Sequence, residues 1–205
     1  LMSQQNYSGW RHSGLDQINR GNVANLKLAF IASIGGKATG GTLALREEAT
    51  PLVNDGIMYV TDSWARVMAF NVQDASKGAV PLWRFDPKIP TDKVFPANKF
   101  NCRGVASEGG RVFAATNDAR LFALELETGK PVPTFGTNGE VRIDPGMELK
   151  WPGEFQITSA PVVVGNTVII GSSIGDNRRI AAALSAHGAV ISLDHRGHAE
   201  SSGEC

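Results

Sequence analysis

A repeated unit of strand, turn and strand is the feature that most restricts how this chain can fold. Short apolar runs flank glycine-containing turns at residues 54–56 (NDG), 108–110 (EGG) and 164–166 (VGN), which begin 54 and 56 residues apart. An Asp-Gly pair between two apolar runs is a strong hairpin signal. A repeat of roughly 55 residues that contains several strands is typical of one blade of a β-propeller.

Further apolar runs follow each hairpin and extend the repeated unit. A third strand is predicted at residues 67–71, 121–125 and 190–194, and a fourth at 81–85 and 131–135 in the first two units. Turn-forming residues separate these runs, and glycine supplies a positive φ at little cost where a turn needs one. Each unit is therefore predicted to be a small antiparallel sheet of four strands.

The predicted fold class is all-β: a partial β-propeller of about three four-stranded blades, near residues 47–86, 102–136 and 157–197. A β-sandwich also contains repeated hairpins, so it is the alternative fold. Sandwich strands do not usually repeat with their turn chemistry in phase, which favours the propeller.

The segments outside the blades give weaker signals. Residues 26–33 (LKLAFIAS) are predicted to form a lone outer strand, because no hairpin precedes them. Residues 86–101 contain proline and lysine and are predicted to form a surface loop. Short helical turns are predicted within 13–23 and within 180–186.

Composition argues against several classes of function. The 20 basic and 20 acidic residues cancel, which removes a general reason to expect nucleic acid or an anionic membrane as a partner. The sequence shows no apolar run near the ~18–20 residues of a membrane helix and no secretory signal in its first residues. The cysteines, Cys102 and Cys205, make neither a disulfide framework nor a zinc motif.

Five phrases of the sequence carry a family likeness. They are QINRGNVANLKLAF (17–30), EEATPLVNDGIMYV (47–60), CRGVA (102–106), GRVFAATNDARLFALELETGKP (110–131) and ITSAPVVVGNTVIIGSSIGDN (157–177). In their order and spacing these phrases resemble the pyrroloquinoline quinone (PQQ)-dependent dehydrogenases, and the likeness covers about residues 7–197. Within the family, the phrases CRGVA, NDARL and GDN look closest to the membrane-bound glucose dehydrogenase branch.

The resemblance implies a fold and an activity. Family members are periplasmic quinoproteins, some of them anchored in the inner membrane, with an eight-bladed propeller. They hold PQQ on the propeller axis with a divalent cation, Ca²⁺ or Mg²⁺. They oxidise an alcohol or sugar hydroxyl with hydride transfer to the quinone, and a quinone or cytochrome then accepts the electrons. The chain would be an N-terminal fragment of such an enzyme.

The resemblance also assigns cofactor-binding residues. Glu48 lies where the family has a glutamate that hydrogen-bonds the quinone, and Arg103 lies where the family has an arginine beside it. A guanidinium is well shaped to bind the carboxylates of PQQ, and Gly104 allows a close approach of the backbone. The alternative for Glu48 is a solvated charge at a strand end, and for Arg103 a surface side chain.

Four further residues complete the predicted site. Thr158 and Ser173 are cofactor-binding candidates through their hydroxyl groups, and Asp176 and Asn177 are metal candidates because their oxygens suit Ca²⁺ or Mg²⁺. Thr158 is also an ordinary strand residue, and a Gly-Asp-Asn sequence is also an ordinary turn. No catalytic residue is assigned, because the family's catalytic Asp comes from a later blade, so the isolated chain is expected to be inactive.

The chain departs from the family at two places. Many alcohol dehydrogenases of the family have adjacent cysteines where this chain has only Cys102, which is therefore predicted to be a small buried residue. Residues 195–205 replace an apolar outer strand with polar residues, which suggests a frameshift or a truncated gene. The alternative function is a non-catalytic propeller that acts as a binding or outer-membrane assembly scaffold, in which the site residues need not converge.

Overall fold

The computed structural model describes residues 14–35, 45–90, 92–95, 100–144, 148–173, 179–185 and 190–194. Their regular structure is strand, apart from a 3₁₀ turn at Val23–Asn25. In this part of the chain no helix is long and apolar enough to cross a bilayer. The strands are β1 (Leu45–Glu47), β2 (Leu52–Asn54), β3 (Ile57–Thr61), β4 (Val67–Asn71), β5 (Pro81–Phe85), β6 (Phe100–Cys102), β7 (Ala106–Glu108), β8 (Arg111–Ala115), β9 (Arg120–Glu125), β10 (Glu140–Arg142), β11 (Gln156–Ile157), β12 (Val162–Val164), β13 (Thr167–Ser173), β14 (Arg179–Ser185) and β15 (Val190–Asp194).

The strands form three antiparallel sheets in chain order. Blade 1 is β2-β3-β4-β5, blade 2 is β7-β8-β9-β10, and blade 3 is β12-β13-β14-β15. A short strand precedes each blade: β1, β6 and β11, which we call the lead-in strands. Strands β1 and β6 pair in parallel, and β11 pairs with β13. The all-β class and the β-propeller architecture are thereby confirmed.

Tight turns join the first two strands of each blade, as the sequence predicts. In blade 1 the central residues Asp55 and Gly56 have φ values of 48° and 75°, and in blade 2 Gly109 and Gly110 have 56° and 73°. Two successive positive φ angles are the mark of the type I′ turn, whose twist matches that of the flanking strands.

Blade 2 is buried on both of its faces, because successive side chains of a strand point to opposite sides of the sheet. One face packs against blade 1 and the other against blade 3. The residues toward blade 1 are Val112, Ala114, Phe122 and Leu124; those toward blade 3 are Phe113, Ala115, Leu121 and Ala123.

Two aromatic residues pack on glycines of the blade that follows them in the chain. The ring of Trp83 in blade 1 lies over Gly129 in blade 2, where an added Cβ would come within 2.3 Å of the ring. The indole N–H of Trp83 donates to the carbonyl of Leu126 at 3.2 Å. Phe30 packs in the same way on Gly78 of blade 1. A side chain at either glycine would force the aromatic ring away.

Three details of the sequence prediction are wrong. The fourth strand of blade 2 is β10, and residues 131–135 form a turn after a single bridge between Leu124 and Pro131. Prolines at 131 and 133 explain this, because proline has no N–H for a continuous ladder. Residues 26–33 are extended but are not assigned as a strand.

The third error lies in blade 3. The segment predicted as a short helical turn is strand β14, which pairs with β13 along its whole length. Strand β15 is consequently the fourth strand of the blade rather than the third. The run of alanines in β14 has a high helix propensity, and the sheet overrides it. Residues 195–205, predicted to be atypical, lie outside the described residues.

Candidate functional site

Glu48, Arg103 and Thr158 occupy equivalent positions in the three blades. Each is the residue directly after a lead-in strand, β1, β6 or β11, and they follow one another at steps of 55 residues. The parallel register of β1 with β6 places Glu47 beside Cys102, so the next pair along is Glu48 and Arg103. The repeat itself therefore brings the three residues to the same level of neighbouring blades.

The side chain of Arg103 contacts those of both Glu48 and Thr158. Its Nη2 lies 2.8 Å from Glu48 Oε2, and its Nη1 donates to Thr158 Oγ1 at 2.6 Å. The Arg103 side chain is 46% exposed and that of Glu48 is 30% exposed. The cluster therefore presents a cation, an anion and a hydroxyl group to an open side of the molecule.

The backbone of the cluster is tied across the blades. The amide of Thr50 donates to the carbonyl of Arg103 at 3.1 Å, and the amide of Arg103 donates to the carbonyl of Thr158 at 3.0 Å. Gly104 makes this approach possible: its φ is 124°, and an added Cβ would lie 2.9 Å from the carbonyl oxygen of Thr50. A residue with a side chain would be strained there.

The ion pair contributes little to stability. Partly exposed pairs of this kind are worth roughly 0–1 kcal/mol, because solvent screens the charges and ordering the side chains costs entropy. Arg103 also retains donors beyond the two that Glu48 and Thr158 use, since a guanidinium carries five N–H groups. The cluster can therefore exchange one partner for a ligand at small cost.

Cys102 lies behind the cluster and is buried, as the sequence predicts. Its thiol is free, and Sγ lies 3.7 Å from the carbonyl oxygen of Gly104 and 3.8 Å from that of Ala115. Burial raises the pKa of this thiol above its ordinary value of 9.0. Cys102 is thus an unreactive packing residue at neutral pH.

The remaining predicted site residues lie near or outside the limits of the described chain. Ser173 is the last residue of β13, where its backbone lies opposite Gln156, two residues before Thr158. Asp176 and Asn177 lie outside the described residues. Within the described residues, no three His, Cys, Asp or Glu side chains are grouped to hold a metal ion. The metal assignment remains a prediction.

Two polar residues that the sequence reasoning missed support the cluster. Asn101 donates from Nδ2 to Glu48 Oε2 at 3.2 Å. Ser63 donates to Glu47 Oε1 from both its backbone N–H, at 3.2 Å, and its hydroxyl group, at 2.6 Å. The sequence signal for Asn101 was its position, because it stands two residues before Arg103 just as Gln156 stands two residues before Thr158.

The family model that matches residues 2–198 describes the β-propeller domain of PQQ glucose, ethanol and alcohol dehydrogenases. The chain belongs to this family. The match extends from blade 1 through blade 3, so the repeat and the clustered residues all lie within the family domain.

Curated relatives of the chain are quinoprotein dehydrogenases. The dehydrogenase subunit of a quinone-dependent alcohol dehydrogenase from Gluconacetobacter polyoxogenes is 39% identical over 170 residues, and the match covers 81% of this chain and 20% of that protein. Quinoprotein glucose dehydrogenase A from Acinetobacter calcoaceticus is 32% identical over 193 residues, covering 83% of this chain and 23% of that protein. The chain therefore spans only about a fifth of the length of these relatives.

Solved structures that match this chain also include dehydrogenases. Quinohemoprotein alcohol dehydrogenase from Comamonas testosteroni matches with a TM-score of 0.73 and 32% identity, over 92% of this chain and 26% of that one. A europium-containing methanol dehydrogenase matches with a TM-score of 0.73 and 28% identity, over 96% of this chain and 32% of that one. The identities do not single out the glucose-oxidising branch, which stays a prediction.

Proposed function

We propose that this chain forms part of the cofactor site of a PQQ-dependent dehydrogenase that oxidises an alcohol or sugar hydroxyl group. The observation that carries the proposal is the bridge that Arg103 makes between Glu48 and Thr158. Three neighbouring blades thereby each offer one polar group at the same level, where a ligand on the propeller axis would meet them.

The residues fit such a cofactor. A tricarboxylate with quinone carbonyls needs a cation and hydroxyl donors, and Arg103 and Thr158 supply both. Gly104 keeps the strands close enough for the groups to act together. When bound, the quinone supplies a two-electron acceptor for hydride from the substrate carbon. This chain would bind and orient that group, since its described residues include no assigned catalytic base.

The other elements of the proposal rest on family resemblance. Ser173 would add a hydroxyl group from the end of β13 to the cofactor site. Asp176 and Asn177 would contribute oxygen ligands to a Ca²⁺ or Mg²⁺ ion. The whole enzyme would be periplasmic and would pass electrons to a quinone or cytochrome. The 205-residue chain alone is expected not to turn over substrate.

The alternative of a non-catalytic assembly scaffold requires no convergence of these residues. Of the four side chains whose convergence distinguishes the two functions, Glu48 and Arg103 do converge. The other two, Asp176 and Asn177, fall outside the described residues. The contact between Glu48 and Arg103 favours the cofactor site.

The test is a titration of the 205-residue chain with PQQ in the presence of Ca²⁺, followed by the quenching of tryptophan fluorescence. Replacing Arg103→Gln should weaken binding about tenfold or more, since a hydrogen bond to a charged group is worth roughly 1.5–3 kcal/mol. The matched control is Arg111→Gln, an exposed arginine at the start of β8 that should have no effect. Absence of saturable binding, or an equal loss in both variants, would overturn the proposal.

A further inference from the structure

One position recurs near the end of the second strand of every blade, in the following turn in blades 1 and 2 and as the last strand residue in blade 3. It is the sixth residue after the first residue of the second strand, which begins at Ile57, Arg111 or Thr167. The residues at this position are Ser63, Asn117 and Ser173. The hairpin registers, in which Glu108 faces Arg111 and Val164 faces Thr167, establish the equivalence for blades 2 and 3.

Blades 1 and 3 join this position to their lead-in strand by direct contact. In blade 1, Ser63 donates two hydrogen bonds to Glu47, the last residue of β1. In blade 3, Ser173 is paired with Gln156, the first residue of β11. The turn and the lead-in strand are thus held together beside the residue that enters the candidate site.

Blade 2 lacks a direct contact at this point. The side chain of Asn117 is fully buried, and neither its nitrogen nor its oxygen has a hydrogen-bond partner in the protein. A primary amide can donate twice and accept twice, and burying it without partners is unfavourable. Buried polar groups of this kind are usually satisfied by an ordered water molecule.

A second orphaned atom belongs to the lead-in strand of the same blade. Asn101 and Gln156 each follow a buried phenylalanine and stand two residues before Arg103 and Thr158. Because Gln156 lies opposite Ser173 in blade 3, the corresponding pair in blade 2 is Asn101 and Asn117. The Oδ1 of Asn101 is buried and has no partner, whereas its Nδ2 donates to Glu48.

We propose that one bound water molecule joins Asn117 to Asn101, and that both asparagines are positioning residues for Glu48. Water that donates to Asn101 Oδ1 holds the amide with its nitrogen toward the Glu48 carboxylate. The opposite orientation would face oxygen against oxygen and would repel the carboxylate. The role toward PQQ rests on the proposed function, whereas the water site itself does not.

The first test is a high-resolution crystal structure of the 205-residue chain without PQQ. We expect an ordered water about 2.7–3.2 Å from both Asn101 Oδ1 and an amide atom of Asn117. Direct contact between the two amides, or well-defined density with no water between them, would overturn the proposal. This result does not depend on whether PQQ binds.

The second test measures hydrogen exchange of the Asn101 side-chain amide by NMR, again without ligand. Asn117→Leu removes the partners of the water while keeping a similar volume, and we expect Asn101 to lose protection about tenfold. Asn117→Ser restores a hydroxyl group, as in blade 1, and should recover most of the protection. Equal exchange in all three proteins would overturn the positioning role.

A titration with PQQ then separates positioning from general stability. Asn117→Leu should weaken binding severalfold in the parent chain and have no further effect in the Glu48→Gln variant. Equal weakening in both backgrounds would mean a merely structural role and would contradict the proposal. If the unmodified chain binds no PQQ, the proposed function fails, and the structure and the exchange measurement decide the positioning proposal.

Discussion

Blade 2 and the segment 14–35 are both rich in apolar residues, but they differ in how far these residues are buried. Blade 2 is covered on both faces, and Leu121 in its centre has no exposed surface. In the segment 14–35, Leu28 and Ile31 are 76% and 77% exposed. A propeller strand is therefore stabilised by its neighbouring blades more than by its own sequence, because burial of apolar surface is the main favourable term in folding.

The largest effect is expected from truncating a leucine in each region. Leu121→Ala should lower the free energy of unfolding by about 3 kcal/mol, since a buried leucine loses both its transfer free energy and its packing. Leu28→Ala should change it by less than about 0.5 kcal/mol. Urea unfolding followed by circular dichroism measures both, and similar losses in the two variants would contradict the comparison.

A smaller effect is expected where blade 1 covers blade 2. Trp83→Ala removes the ring from Gly129 and the hydrogen bond to Leu126, and should cost about 2 kcal/mol because the ring is only half-buried. Leu82→Ala, on the exposed side of the same strand, is the matched control and should be nearly neutral. Equal midpoints of urea unfolding for the two variants would show that the ring does not hold the blades together.

The smallest effect is a dependence on pH at the junction of blades 1 and 2. Burial raises the pKa of Cys102 above 9.0, so the folded chain keeps a proton that the unfolded chain releases as the pH rises through 9. Stability should fall there by up to about 1.4 kcal/mol per pH unit. The Cys102→Ala variant should lack this component, so the difference between the two proteins in urea unfolding from pH 8 to pH 10 measures it. A constant difference would exclude it.

The sequence was sufficient for the features that depend on local rules. The Asp55-Gly56 and Gly109-Gly110 turns follow from the φ angles that glycine and aspartate tolerate, and the repeat of strands around them predicted the propeller. Two features were not predictable in this way: strand β14, and the turn at 131–135 where a strand was predicted. Their state depends on hydrogen bonds to partners that are distant in sequence.

The candidate site also contains residues that the sequence predicted and a residue that it did not. Glu48, Arg103 and Thr158 were selected through family resemblance, and the structure brings the three into contact. The part played by Asn101 was missed because it depends on which face of β6 meets Glu48 in the preceding blade. No local pattern of sequence specifies a contact between blades, whereas the repeat does so once the register is known.

The position directly after each lead-in strand has a consequence for redesign. The same backbone slot carries a carboxylate in one blade, a guanidinium in the next and a hydroxyl group in the third. Exchanging the side chains at Arg103 and Thr158 would move the positive charge by one blade around the axis without a change of fold. The order of polar groups around the axis can therefore be changed by substitutions at these three positions alone.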